Sequence, residues 1–123
     1  MSRILVIDDE EDILKLAQDI LEREGYIVQA SPDGENIFDQ VSSFKPDLIL
    51  LDVILPKTSG LDICRKLKRD PSTRNIKVIL FSALGTEVGL MLDQRDKADD
   101  YLLKPFSYKV LVELVGKQLR KRD

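Results

Sequence analysis

The chain has 123 residues, a mass of 14.0 kDa, 43% apolar and 33% charged residues, so residues 1–123 are expected to form one globular domain. A formal net charge of −3 argues against direct nucleic-acid binding, which needs a basic surface. One cysteine and no histidine exclude a disulfide within the chain, zinc sites and every mechanism that uses a histidine base.

Five short apolar runs predict five strands. They are expected at residues 4–7, 26–30, 48–51, 77–81 and 101–103. The first run directly follows Met1-Ser2-Arg3 and is too short for a signal peptide or a membrane span. We therefore expect a cytoplasmic protein that does not contact a membrane.

Helical patterns lie between and after these strands. The first runs from Ile13 to Leu21 and is expected to end at Gly25, and the third covers residues 61–68, where Cys64 is interpreted as a small buried side chain. The fifth is expected to follow Ser107 as its N-cap. The residues that predict the second, fourth and fifth helices are Ile37, Val41 and Phe44; Val88, Met91, Leu92 and Arg95; and Val110, Leu111, Leu114, Val115 and Leu119.

This alternation of strands and helices predicts an α/β fold of (βα)₅ type. Parallel strands joined by right-handed helical crossovers form a doubly wound sheet with helices on both faces. In such a sheet all strands end at the same edge, and ligands bind there.

Polar residues follow four of the predicted strands. Asp8 and Asp9 follow the first, Asp52 the third, Ser82 the fourth and Lys104 the fifth. Any one of them could simply end a strand, but together they bring three carboxylates, a hydroxyl and an ammonium group to one edge. Oxygen ligands of this kind suit Mg²⁺, whose charge would balance the excess of carboxylates. An anionic phosphoryl group could then be held by Lys104 and Ser82.

These residues and their surroundings resemble the receiver domains of bacterial two-component response regulators. The resemblance covers essentially the whole chain, and it implies a flavodoxin-like fold with strand order 2-1-3-4-5. The motifs that carry it are Asp8-Asp9; Leu48-Ile49-Leu50-Leu51-Asp52-Val53-Ile54-Leu55-Pro56 with Gly60; Ser82-Ala83; and Asp99-Asp100-Tyr101-Leu102-Leu103-Lys104-Pro105-Phe106.

The resemblance also implies roles for individual residues. Asp52 would be the phosphoacceptor, and Asp9 would ligate Mg²⁺ directly with Asp52 and the backbone carbonyl of Ile54, while Asp8 would act mostly through water. Ser82 and Tyr101 would be a switch pair, in which the hydroxyl turns toward the phosphoryl group and the ring moves into the vacated space.

The resemblance further implies a cis Lys104-Pro105 peptide bond and a signalling face made of the fourth helix, the fifth strand and the fifth helix. Gly85 and Gly89 weaken the start of the fourth helix, so this face should move easily.

Partners follow from the same resemblance. The phosphoryl group would come from a phosphohistidine on a sensor histidine kinase or phosphotransfer protein, a role that this chain cannot fill without histidine. A downstream effector protein or domain would receive the signal, and phosphorylation could drive homodimer formation. We expect no direct contact with nucleic acid.

Three other functions are less well supported. An aspartyl phosphatase needs a second acid two residues after its nucleophile, and that position is Ile54, so turnover of external substrates is not expected. A receiver that only binds partners would lack one or more of the five key residues that follow the strands, and none of them is missing here. Dinucleotide binding needs a glycine-rich first turn, and this chain has acidic residues there.

The lifetime of the phosphorylated state can also be predicted. In the family that this chain resembles, the residues at the positions of Ile54 and Leu84 flank the path of the water that attacks the acyl phosphate. Both residues are apolar here. Neither can orient a water molecule, so self-dephosphorylation is expected to be slow. The alternative is that both residues belong to a docking surface.

Overall fold

The computed structural model describes residues 1–83 and 96–121. Within these ranges it contains five strands and four helices. They are β1 (Arg3–Ile7), α1 (Glu11–Arg23), β2 (Ile27–Ser31), α2 (Ile37–Phe44), β3 (Leu48–Asp52), α3 (Gly60–Arg69), β4 (Lys77–Ser82), β5 (Asp100–Leu103) and α4 (Tyr108–Arg120). The fourth predicted helix, with Gly85, Gly89 and the neighbouring Leu84, lies outside the described residues, and α4 is the fifth helix of the sequence analysis.

The five strands form one parallel sheet in the order β2-β1-β3-β4-β5, as predicted. In its register Ile7 lies opposite Leu51 and Ser82 lies opposite Leu103. The first and third strands are therefore direct neighbours, while β5 is separated from β3 by β4.

The core has two halves, one on each face of the sheet. On one face Leu5 and Ile49 pack with Ile63 and Leu67 of α3, and on the other Ile4 and Leu48 pack with residues of α1 and α4. Because successive strand side chains point to opposite faces, strands buried on both sides have continuous apolar sequences. The doubly wound architecture is thus confirmed. Across the described residues, no helix is both long and apolar enough to cross a bilayer.

The predicted helix boundaries are largely confirmed. Gly25 has a φ of 92° at the C′ position of α1, and its amide donates to the carbonyl of Glu22. The amide of Tyr26 donates to the carbonyl of Leu21, so Tyr26 completes the helix ending, and β2 begins one residue later than predicted. Ser107 caps α4 by accepting a hydrogen bond from the amide of Val110 at 3.1 Å.

Ion pairs attach the end of α3 to the segment that leads into β5. Arg69 contacts both carboxylate oxygens of the buried Asp96 at 2.9 Å, and Lys68 contacts Asp99 at 2.7 Å. The thiol of Cys64, which is buried as predicted, donates to the carbonyl of Asp96 at 3.4 Å. These contacts fix where β5 starts, and so where the residue after it lies.

Candidate functional site

Three of the predicted side chains meet at the carboxyl edge of the sheet. The Nζ atom of Lys104 lies 2.8 Å from Oδ2 of Asp8 and 3.3 Å from Oδ2 of Asp52. Asp8 directly follows β1, Asp52 ends β3 and Lys104 follows β5. The adjacency of β1 and β3 brings the carboxylates together, and the lysine reaches them from two strands away.

The backbone holds both carboxylates in place. Oδ1 of Asp8, which is fully buried, accepts the amide of Glu10 at 2.9 Å. Oδ1 of Asp52 accepts the amide of Ile54 at 3.2 Å. Each carboxylate therefore has one oxygen bound to the backbone and the other directed toward Lys104.

The Lys104 side chain passes over an aromatic ring, and its ammonium reaches the two carboxylates from there. Its ammonium lies 4.6 Å from the centre of the Phe81 ring in β4, within the range of a cation–π contact. Phe106 meets the same ring edge-on at 6.3 Å, and the amide of Lys104 donates to the carbonyl of Ser82 at 2.9 Å. The Lys104-Pro105 bond is cis, as predicted.

The charges of the site do not balance. Burial, followed by the charge of Asp8, raises the pKa of Asp52 to about 6, although Lys104 opposes the shift. Burial by itself lowers the pKa of Lys104, but the hydrogen bond to Asp8 and the charges of Asp52 and Asp8 outweigh it and raise that pKa overall. One ammonium group is thus too little positive charge for this group of carboxylates.

An acidic group suited to a hard cation is present here. Carboxylate oxygens of Asp8, Glu10 and Asp52 all lie within 4.8 Å of one another. Oxygen ligands at this spacing match the chemistry of Mg²⁺. Asp9 is exposed and is not a member of this group, whereas Glu10 is a member that the sequence analysis did not select. The run of five acidic residues at positions 8–12 was the only signal for it.

The loop after Asp52 is held close to the strand end. The amide of Gly60 donates to the carbonyl of Val53 at 2.7 Å, and Ile54 pairs with Ser59. A β-carbon at position 60 would overlap the carbonyl oxygen of Asp52, so only glycine fits this approach. The loop leaves the Ile54 side chain 61% exposed beside the site.

Ser82 and Tyr101 lie on adjacent strands near the site. Ser82 is buried at the end of β4, and Tyr101 is half-buried against the core on the α2 and α3 face. The Tyr101 hydroxyl is buried. Burial is also the main reason that the pKa of Tyr101 is raised. The switch, in which the Ser82 hydroxyl turns and the Tyr101 ring moves into the vacated space, stays a prediction.

Comparison with known proteins adds to this geometry. A family model described as the response regulator receiver domain matches residues 4–116. The DNA-binding dual master transcriptional regulator RpaA of Synechocystis is 40% identical over 123 residues, which are 100% of this chain and 51% of that protein. The alkaline phosphatase synthesis transcriptional regulatory protein PhoP of Bacillus subtilis is 39% identical over 98% of this chain and 50% of its own length. This chain spans about half the length of these curated relatives.

Solved structures show the same fold. The signal receiver domain of a signal transduction histidine kinase from Syntrophus aciditrophicus matches with a TM-score of 0.88 and 32% identity. The match covers 100% of this chain and 95% of that one.

The raised pKa of Asp52 predicts a pH-dependent stability. Since this pKa is about 6 in the folded chain against 3.8 for an ordinary aspartate, the folded state binds the proton more tightly. The Asp52 contribution to the free energy of unfolding therefore falls as the pH rises from about 4 to about 6. Asp52→Asn should be more stable than the wild type above this range by roughly 1 kcal/mol, and the difference should shrink toward its lower end. Urea unfolding in the presence of a chelator measures it.

Asp39→Asn is the matched control, because it removes one negative charge from an exposed position on α2. If both variants gained stability equally at each pH, the unfavourable environment of the Asp52 carboxylate would not be the cause.

Proposed function

Because this chain belongs to the response regulator receiver domain family, we propose that it accepts a phosphoryl group on Asp52 as a signalling step of a two-component system. In this proposal residues 1–123 form one receiver domain. The observation that carries it is the contact of the Lys104 ammonium with both Asp8 and Asp52 at the carboxyl edge of the sheet.

The chemistry follows from the positions of these groups. A carboxylate oxygen of Asp52 forms a bond to phosphorus while the bond to the leaving group breaks, and its electron pair departs with that group. Lys104 is placed to pair with a phosphoryl oxygen, and Ser82, at the end of the neighbouring strand, supplies a hydroxyl donor. Lys104 and Ser82 stabilise negative charge on the phosphoryl group, and neither forms a covalent bond to it.

A divalent cation fits the same site. In this proposal Asp9, Asp52 and the backbone carbonyl of Ile54 bind Mg²⁺ directly, and Asp8 binds mostly through water. The proximity of the Asp8 and Asp52 oxygens supports a cation at these two residues, and the role of Asp9 rests on the family resemblance alone. When bound, Mg²⁺ supplies positive charge that keeps Asp52 ionised and lowers the repulsion of an incoming phosphoryl group.

The partners are proposed on the basis of the family. A sensor histidine kinase or a phosphotransfer protein donates the phosphoryl group in the cytoplasm, and a downstream effector protein or domain responds to it. A phosphorylation-dependent homodimer is a further proposal. The negative charge of the chain supports the view that this domain itself does not contact nucleic acid or a membrane, whatever the full-length relatives bind.

The output surface is proposed to include β5 and α4, together with the segment between β4 and β5. Leu103, Tyr108 and Val110 support it, because they are large side chains left exposed on these elements. Binding of beryllofluoride, a phosphoryl mimic, should change amide hydrogen exchange in residues 100–103 and 108–120. Changes confined to α2 would contradict this surface.

Phosphorylation itself can be measured by mass. Acetyl phosphate with Mg²⁺ should add one phosphoryl group to the wild-type chain, and intact-mass spectrometry should show it. Asp52→Asn should gain none, because an amide oxygen is a far weaker nucleophile than a carboxylate.

The control for labelling is Asp39→Asn, which should be phosphorylated like the wild type. Equal labelling of Asp52→Asn and the wild type would rule out Asp52 as the acceptor. Sustained hydrolysis of a chromogenic phosphate ester would instead favour an aspartyl phosphatase, a function that the apolar Ile54 argues against.

The label is expected to persist. Ile54 cannot orient a water molecule for in-line attack on the acyl phosphate, and its exposed side chain lies beside the acceptor. Ile54→Asn should therefore lose its label faster than the wild type, by roughly threefold or more. Ile54→Val, which keeps the site apolar, is the control. If the asparagine variant decays at the wild-type rate, the apolar side chain does not set the lifetime. Leu84, the other predicted shielding residue, lies outside the described residues.

A further inference from the structure

We propose that Glu10 is a further acidic residue of the cation site and that its carboxylate raises the affinity of this site for Mg²⁺. The inference rests on the proposed function, since it adds a residue to the Mg²⁺ site of that function. Its role is to hold Lys104 when the cation, bound to Asp52 and through water to Asp8, takes the place of the ammonium at these two carboxylates.

Glu10 occupies a position where a side chain is expected to bind amides of the helix that follows. It is the N-cap residue of α1, a position that favours short side chains able to bind the first free amides of the helix. The Glu10 side chain makes no such bond. Its Oε1 atom lies instead 3.5 Å from the Nζ atom of Lys104.

The backbone places Glu10 firmly beside the site. Its amide donates to Oδ1 of Asp8 at 2.9 Å, and its carbonyl accepts the amide of Leu14 at 2.9 Å. The side chain therefore starts from a fixed point next to the most buried carboxylate of the site. This explains how an exposed residue comes within 4.8 Å of the Asp8 and Asp52 oxygens.

Lys104 and a divalent cation compete for the same oxygens. The ammonium contacts Asp8 at 2.8 Å, Asp52 at 3.3 Å and Glu10 at 3.5 Å. A cation bound to Asp52, and through water to Asp8, must displace the ammonium from these two carboxylates. Glu10, whose side chain is 64% exposed, remains available as its partner at the mouth of the site. Its negative charge also attracts the cation directly, so both effects favour Mg²⁺ binding.

The alternative is that Glu10 is an ordinary solvated charge at a helix start, where any acidic residue interacts well with the helix dipole. Glu11 separates the two explanations. It is the first residue of α1, exposed, and not a member of the acidic group. Glu11→Gln removes the same charge from the same helix end as Glu10→Gln.

The experiment is calorimetric titration of MgCl₂ into the wild type and both variants at low salt, where electrostatic effects are largest. Glu10→Gln should bind Mg²⁺ about 3- to 10-fold more weakly than the wild type, and Glu11→Gln should stay within about twofold of it. Urea unfolding without Mg²⁺ checks that both variants fold.

Two results would overturn the inference. Equal weakening in both variants would mean that the general field of the helix end is responsible, and unchanged affinity in Glu10→Gln would mean that Glu10 takes no part. In either case a wild type that binds Mg²⁺ and is labelled on Asp52 leaves the proposed function standing. A wild type that does neither contradicts the proposed function, and this inference with it.

Discussion

The arrangement of the site depends on the ion pairs that Lys104 makes with Asp8 and Asp52. Both carboxylates are buried, and burial together with the charge of Asp8 disfavours the ionised form of Asp52. The ammonium offsets this only in part, since the pKa of Asp52 stays raised to about 6. The chain is therefore folded around negative charge that it does not fully neutralise. The proposed Mg²⁺ would supply the missing positive charge, and the proposed phosphoryl transfer depends largely on such charge stabilisation.

The sheet provides the geometry for these pairs. Its order makes β1 and β3 neighbours, and the parallel direction brings their carboxyl ends to the same edge. Lys104 must cross β4, and the ring of Phe81 is the surface over which it does so. Below this edge, the ion pairs of Arg69 and Lys68 with Asp96 and Asp99 fix the start of β5. The position of the Lys104 ammonium thus depends on ion pairs of α3 that lie away from the site.

Much of this could be predicted from the sequence, for identifiable reasons. Strands buried on both faces give continuous apolar runs, and helices that cover them give regular stripes, so the order of the five strands and of the four helices in the described residues could be predicted. The one-residue shift at β2 was not, because Tyr26 has a strand-forming side chain but an amide that completes the ending of α1. The strand ends revealed Asp8, Asp52 and Lys104, whereas Glu10 was missed. Its membership depends on the direction of a long side chain, which sequence spacing does not determine.

The contact between Asp8 and Lys104 joins residues that are 96 positions apart in the chain. A chain synthesised only as far as β4 already contains Asp8 and Asp52 but lacks the cation that offsets them. The site is therefore completed only when β5 joins the sheet. In the proposed function, a chain without β5 therefore lacks the assembled acceptor site.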